Sequence, residues 1–157
     1  MTACQPFLIG DGWQLARDGD PTGLALYERH YSARKTLARR RKRRTQLFVG
    51  PGFKLVLIHA TGRALFVWWR QRHRRDRQAG VNCAVFRNEG AGIASELILG
   101  AERVAWSRWP GERLFTFVDP DEVGGSPPGN CFRHAGWRPC GLSRDGLIVL
   151  EKLEAWA

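Results

Sequence analysis

Val81-Asn82-Cys83-Ala84-Val85-Phe86, then Arg87-Asn88-Glu89-Gly90-Ala91-Gly92, then Ile93 to Ala105 form the stretch that decides the reading of this chain. The first six residues read as a buried strand and the next six as a glycine-bearing turn. From there Ile93, Ala94, Leu97, Ile98, Ala101, Val104 and Ala105 recur at three- and four-residue steps. That spacing predicts an amphipathic helix with Glu96, Glu102 and Arg103 on its other faces. Strand, turn and helix in this order make a candidate phosphate cradle. Glycine lets backbone N–H groups approach an anion, and the helix begins with unpaired donors and the positive end of its dipole. The same turn can also do no more than close a strand-to-helix connection.

With 157 residues, 43% of them hydrophobic, the chain has enough apolar material for one core and too little length for two ordinary domains, so residues 1–157 are expected to form one domain. It has no apolar run of membrane-spanning length, and Met1 to Gly10 lacks the charged start and apolar core of a signal peptide. A soluble, cytoplasmic protein without a membrane partner is expected. Cys4, Cys83, Cys131 and Cys140 show no C-x-x-C spacing, which argues against a zinc site or a disulfide framework, although Cys131, His134 and Cys140 could meet in space. No metal is expected.

The net charge is +10, and thirteen of the 25 Lys and Arg residues lie in two short segments. One carries Arg34, Lys35, Arg39, Arg40, Arg41, Lys42, Arg43 and Arg44; the other carries Arg70, Arg72, Arg74, Arg75 and Arg77. Charges so dense repel one another and cannot enter a core, so they read as basic loops facing an acidic partner. Nucleic acid fits, because the guanidinium fork matches phosphate oxygens. A solvated face is the blander alternative.

Phe7 to Leu15 reads as a first strand. Asp20-Pro21 starts a helix reaching Tyr31, with Asp20 as N-cap and Leu24, Tyr27 and Tyr31 on one face. Phe53 to Ala60 and Ala64 to Trp69, joined by Thr61-Gly62-Arg63, form a hairpin. After the helix come a strand at Arg113 to Val118, a Gly- and Pro-rich loop at 124–129, a short helix at Asn130 to Ala135 and a last strand at Gly146 to Glu151. The order β, α, βββ, α, β, α, β predicts an α+β fold, a mixed sheet with helices over it.

Arg87-Asn88-Glu89-Gly90-Ala91-Gly92 resembles the (Q/R)-x-x-G-x-(G/A) turn of the GNAT acyltransferase superfamily, and Asn130 to Trp137 resembles its N-x-x-x-x-x-x-G-F helix. The resemblance covers roughly residues 5 to 155 in element order. It implies a largely antiparallel sheet flanked by helices, here with two basic loop insertions. It also implies a pantetheine carrier in a gap beside the fourth strand, its pyrophosphate on the turn amides. The cofactor-binding set is then Arg87, Asn88, Glu89, Gly90, Ala91, Gly92 and Asn130. His30-Tyr31-Ser32, Val49-Gly50-Pro51-Gly52, Ala64 to Trp68, Phe86 to Glu89 with Ser95 to Ile98, and Pro128-Gly129 with Cys131-Phe132 are similar to the Mom-type phage DNA-modification proteins, which convert adenine in DNA to an N6-carbamoylmethyl form. Double-stranded DNA is then the acceptor, with Arg34, Lys35, Arg39 to Arg44, Arg72, Arg74 and Arg75 on it. The donor stays open between acetyl-CoA, another acyl carrier and an aminoacyl-tRNA, the last making tRNA a partner; a phage-encoded chain would work in host cytoplasm.

Group transfer to an amine needs positioning, oxyanion stabilisation and proton traffic. The tyrosine acid of many GNAT enzymes falls here on Phe132, which has no acidic proton to give. Tyr31, with His30 and Ser32, stands beside a basic loop where a base can enter, or is an aromatic packing on the sheet. Asp119 acts as base, holds a base amine or shapes a turn before Pro120. Ser95 binds the carrier, orients the transferred group or is a surface serine. Glu89 is an odd neighbour for an anion: either it pairs with Arg87 or the donor is not an ordinary acyl-CoA. Trp68, Trp69, Trp106, Trp109 and Trp137 read as core, one of them able to stack on an extruded base. A protein or small-amine acetyltransferase and a non-catalytic DNA-binding module are the competing functions.

Overall fold

The computed structural model describes residues 11–29, 47–71, 76–121 and 129–157. Seven strands, β1 (Trp13–Ala16), β2 (Gly52–His59), β3 (Ala64–Gln71), β4 (Val81–Asn88), β5 (Leu114–Val118), β6 (Arg138–Leu142) and β7 (Ile148–Lys152), form one sheet in the order β1-β2-β3-β4-β5-β7-β6. All neighbours are antiparallel except β4 and β5. The α+β class with a largely antiparallel sheet is as the sequence predicts. No described helix is long and apolar enough to cross a membrane.

Helix α1 (Pro21–Glu28) starts as expected: Asp20 Oδ1 accepts from the amides of Thr22 and Gly23, at 2.9 and 3.3 Å, and Pro21 occupies the first turn. The helix ends at Glu28 with Arg29 as its cap, short of the predicted Tyr31, which with His30 and Ser32 lies outside the described residues. Its buried side is Gly23, Leu26 and Tyr27, packed with Phe48, Val49, Val56, Ile58, Leu65, Val67 and Val85 on one face of the sheet. On the other face lie α2 (Ala94–Arg108) and the short α3 (Asn130–His134), over Trp13, Leu57, Phe66, Trp68, Cys83, Leu114 and Leu150.

Two indoles dock α2: Trp13 Nε1 donates to the Leu97 carbonyl and Trp68 Nε1 to that of Ala101, both at 2.9 Å. Trp106, Trp109 and Trp137 are buried too, while Trp69 is half-buried. Ile93, predicted to open the apolar stripe, is the exposed cap residue instead.

One prediction fails outright. Glu102, expected on a solvent face of α2, is 1% exposed. Its Oε1 is 2.5 Å from Lys152 Nζ and its Oε2 accepts from Trp137 Nε1 at 3.0 Å, while Lys152 also donates to the Ala135 carbonyl at 2.6 Å. The helical spacing that buries Ile98, Ala101 and Ala105 also turns position 102 inward, where an ammonium and an indole make a carboxylate tolerable. A second difference is β6, an edge strand at Arg138–Leu142 where no strand is predicted. All five of its residues are exposed and it contains Pro139 and Gly141, so it lacks the apolar alternation that marks a strand.

Burial pushes the Glu102 carboxyl above its ordinary value, and the bonds from Lys152 and Trp137 pull it back. Lys152→Met leaves the carboxylate buried without its cation and is expected to cost about 3–5 kcal/mol in urea denaturation at neutral pH. A carboxyl raised in the folded state destabilises when charged and is relieved by protonation, so the loss shrinks as pH is lowered from about 8 to 5. A loss that is small, or that grows toward acid, contradicts this role.

Candidate active site

The site is made by a pairing that stops. Strands β4 and β5 run parallel for three pairs only, Val81 with Leu114, Asn82 with Phe115 and Cys83 with Thr116. Beyond them β4 stays bonded to β3 as far as Asn88, opposite Ala64, and β5 stays bonded to β7 as far as Val118, opposite Ile148. Each strand follows its outer neighbour, and a gap opens between them. The cause is local. Val67 pairs with Val85 but Trp68 with Cys83, so Ala84 is an extra residue, a bulge that bends and twists β4 as it leaves the last β5 pair. Thr116 Oγ1 donates to the Cys83 carbonyl at 3.0 Å, closing the bottom of the gap. Gly80 permits the pairing below: it sits at φ +113°, and a Cβ there would lie 2.1 Å from the Arg113 carbonyl oxygen, to which Val81 N donates.

At the open end β4 runs into the Arg87 to Gly92 turn. Asn88 braces it: its Oδ1 accepts from the amides of Gly90 and Ala91, at 3.2 and 2.9 Å, and its Nδ2 donates to the Gly92 carbonyl at 2.9 Å. Gly90 takes φ +91°, which glycine adopts without strain. The expected donors at 90 and 91 are therefore engaged by Asn88. The amides of Ala94, Ser95 and Glu96 open α2, whose first internal bond is Leu97 N to the Ile93 carbonyl, and no side chain caps them. Glu96 lines a small hollow of about 280 Å³ with Asp11 and His59, and Ala91, Gly92, Ile93 and Leu97 line it too, so the end of the turn and the start of α2 also border this flank.

Glu89 pairs with Arg87, as one of the two readings had it, and also with a residue the sequence did not point to. Arg29 grips it with two bonds, Nε to Oε2 at 2.7 Å and Nη2 to Oε1 at 2.8 Å, and Arg87 Nε adds a third at 2.9 Å. Two guanidiniums on one carboxylate leave the turn with net positive charge. Arg29, the residue before His30, is thereby anchored to the turn.

Across the gap, Asp119 is buried just past β5 and its Oδ1 accepts from Asp121 N at 3.0 Å, the turn-shaping bond. Gly129 packs so closely on Val118 and Leu150 that a Cβ would meet them at 3.2 and 2.7 Å, which sets Asn130, exposed, beside the end of β5. Phe132 is core, 6.0 Å from the Phe86 ring and 4.9 Å from that of Trp137, so α3 reaches from β5 back to β4 over the gap. Ser95 is half-buried in the first turn of α2. Cys83 is buried and its thiol is pushed up by that burial. The described residues form no cluster of His, Cys, Asp and Glu able to hold a metal; Cys140 lies on β6, its Sγ 3.5 Å from the Val149 carbonyl. Arg34, Lys35, Arg39 to Arg44, Arg72, Arg74 and Arg75 lie outside the described residues. Asn82, which the sequence reading passed over, is 7% exposed with a buried Oδ1 that has no hydrogen-bond partner among the described residues. Only its strand position, a lone amide in an apolar run, signalled it.

No protein-family model, curated protein or solved structure matches the chain.

Arg29 above all, with Arg87, holds the Glu89 carboxyl down to about 2. A depressed carboxylate contributes stability that is present above its unfolded value and is lost only as pH falls through about 2, so this anchor persists at every ordinary pH. Arg29→Gln is expected to return the Glu89 carboxyl toward the ordinary range in a carboxyl-carbon NMR titration, with little loss of stability, the pair being exposed to solvent. An unmoved titration refutes the anchor.

Proposed function

We propose that the protein is a DNA-modifying transferase of GNAT type that adds an acyl-derived, carbamoylmethyl-like group to the N6 amine of adenine. The observation that carries the reading is the parting of β4 from β5, with the braced turn and the uncapped start of α2 at its mouth. A parting at this point supports the reading, because the resemblance implies a gap beside the fourth strand for a pantetheine carrier. The fit is one of position and charge: two strands that cease to pair, with the amides of Ala94, Ser95 and Glu96, which no side chain caps among the described residues, and the cationic Arg29–Glu89–Arg87 group at the end where phosphates would lie.

A bound carrier would supply an activated thioester carbon and, as the bond to the amine forms and its carbon–sulfur bond breaks, its own thiol as the leaving group. The chain's own part is to hold it and to manage the amine. An adenine N6 amine is a poor nucleophile because its lone pair is delocalised into the ring, so orientation and proton removal dominate the barrier. Asp119, buried at the end of β5, is placed to hold the amine or take its proton as the nitrogen–carbon bond forms. Ser95, beside the phosphate end, orients the carrier. Tyr31, with His30 and Ser32, is the further candidate acid, following Arg29 in the chain. Arg34 to Arg44 and Arg72 to Arg75 supply the salt-sensitive attraction to duplex DNA that such an enzyme needs.

Plasmid DNA from cells expressing the protein, digested to nucleosides and examined by mass spectrometry, is expected to contain a heavier deoxyadenosine. Asp119→Asn is expected to reduce its yield by about a hundredfold, the lower end of what positioned acid–base groups contribute. Unmodified deoxyadenosine with no other new nucleoside refutes the proposal.

A further inference from the structure

A cavity of about 600 Å³ lies outside the carrier gap, with a wall on β5. It is lined by Asp76, Arg77 and Gln78 before β4, by Phe117 on β5, and by Leu142, Ser143 and Arg144 where β6 turns into β7. Phe117 is the first β5 residue past the last pair with β4, so the cavity floor begins where the gap begins. Asp119 follows two residues on, just past the end of β5.

We propose that this cavity is the acceptor subsite and takes an adenine extruded from duplex DNA, an inference that rests on the reading of the protein as a DNA-modifying transferase. Three features converge on an extruded nucleotide. Phe117 offers a half-buried aromatic face to a base, its ring steadied edge-on by Phe115 at 5.8 Å. Arg77 and Arg144 are exposed and, like Arg17, Arg63, Arg108 and Arg138, have no carboxylate partner among the described residues, so both are available to an anion. Arg77 is held at φ +60°, a left-handed conformation unusual for a side-chain-bearing residue. Leu142, 72% exposed on the rim, is an apolar side chain of the kind that fills a vacated base stack.

The test compares the affinity of the full chain for two duplexes of one sequence, one fully paired and one with a single adenine mispaired, so that extrusion is cheaper. Wild type is expected to bind the mispaired duplex about tenfold more tightly. Phe117→Ala and Phe117→Leu, each accepted only with a wild-type melting curve, are expected to bring that ratio to about one while keeping the affinity for paired DNA. Arg77→Gln with Arg144→Gln weakens both duplexes and lowers the slope of log affinity on log salt by about 2. Equal wild-type binding of the two duplexes, or a preference that survives in both Phe117 variants, overturns the subsite and leaves the DNA reading standing. Failure to bind either duplex overturns both.

Discussion

The bulge at Ala84 is the constraint on which the rest depends. A parallel pair of strands, each bonded on its outer edge, has no reason to separate unless one is bent away, and the extra residue opposite Val67 and Trp68 bends β4. Below it, Gly80 and the Thr116–Cys83 bond hold the strands together; above it, nothing pairs them. The two layers respond to this one event. Ala84 and Val85 both join the α1 side of the sheet, and Phe86 returns to the α2 side to meet Phe66 and Phe132. Helix α3 thus lies over the gap rather than beside it.

Charge follows the same geometry. A carboxylate in the turn would repel a phosphate, yet Glu89 spends its charge on two arginines and in doing so ties the end of α1 to the end of β4. Glu96, the other acid near the helix start, lines the hollow with Asp11 and His59. What remains at the mouth of the gap is a set of backbone donors and a surplus of positive charge. The buried Glu102–Lys152 pair works at the far side of α2, pinning the helix to β7 and, through Trp137, to the chain that follows α3.

The core elements were legible because each carries a signal of its own: Asp20-Pro21 for α1, the Thr61-Gly62 turn for the β2–β3 hairpin, and the three-and-four spacing for α2. Three features were not. Strand β6 owes its existence to β7, its partner, and its own residues are polar, exposed and broken by Pro139. Glu102 is charged, and periodicity ranks charged residues outside; the clue was the abundance of tryptophan, since each buried indole needs an acceptor and Trp137 takes its acceptor from Glu102. The Arg29–Glu89 contact joins residues 60 positions apart, which no local pattern announces. Within the candidate site, the sequence pointed to the turn and to Ser95, Asp119 and Asn130, but gave no sign that Asn88 would occupy two of the turn amides.

The central claim is that the opening between β4 and β5 receives a phosphate-bearing carrier whose anionic end rests on the first turn of α2. Titration of the isotopically labelled full chain with coenzyme A, followed through its backbone amide resonances, tests this most directly. The account predicts saturable shifts concentrated at Gly92 to Glu96 and along Val85 to Asn88. Saturable shifts confined to other parts of the chain, or none, would contradict it.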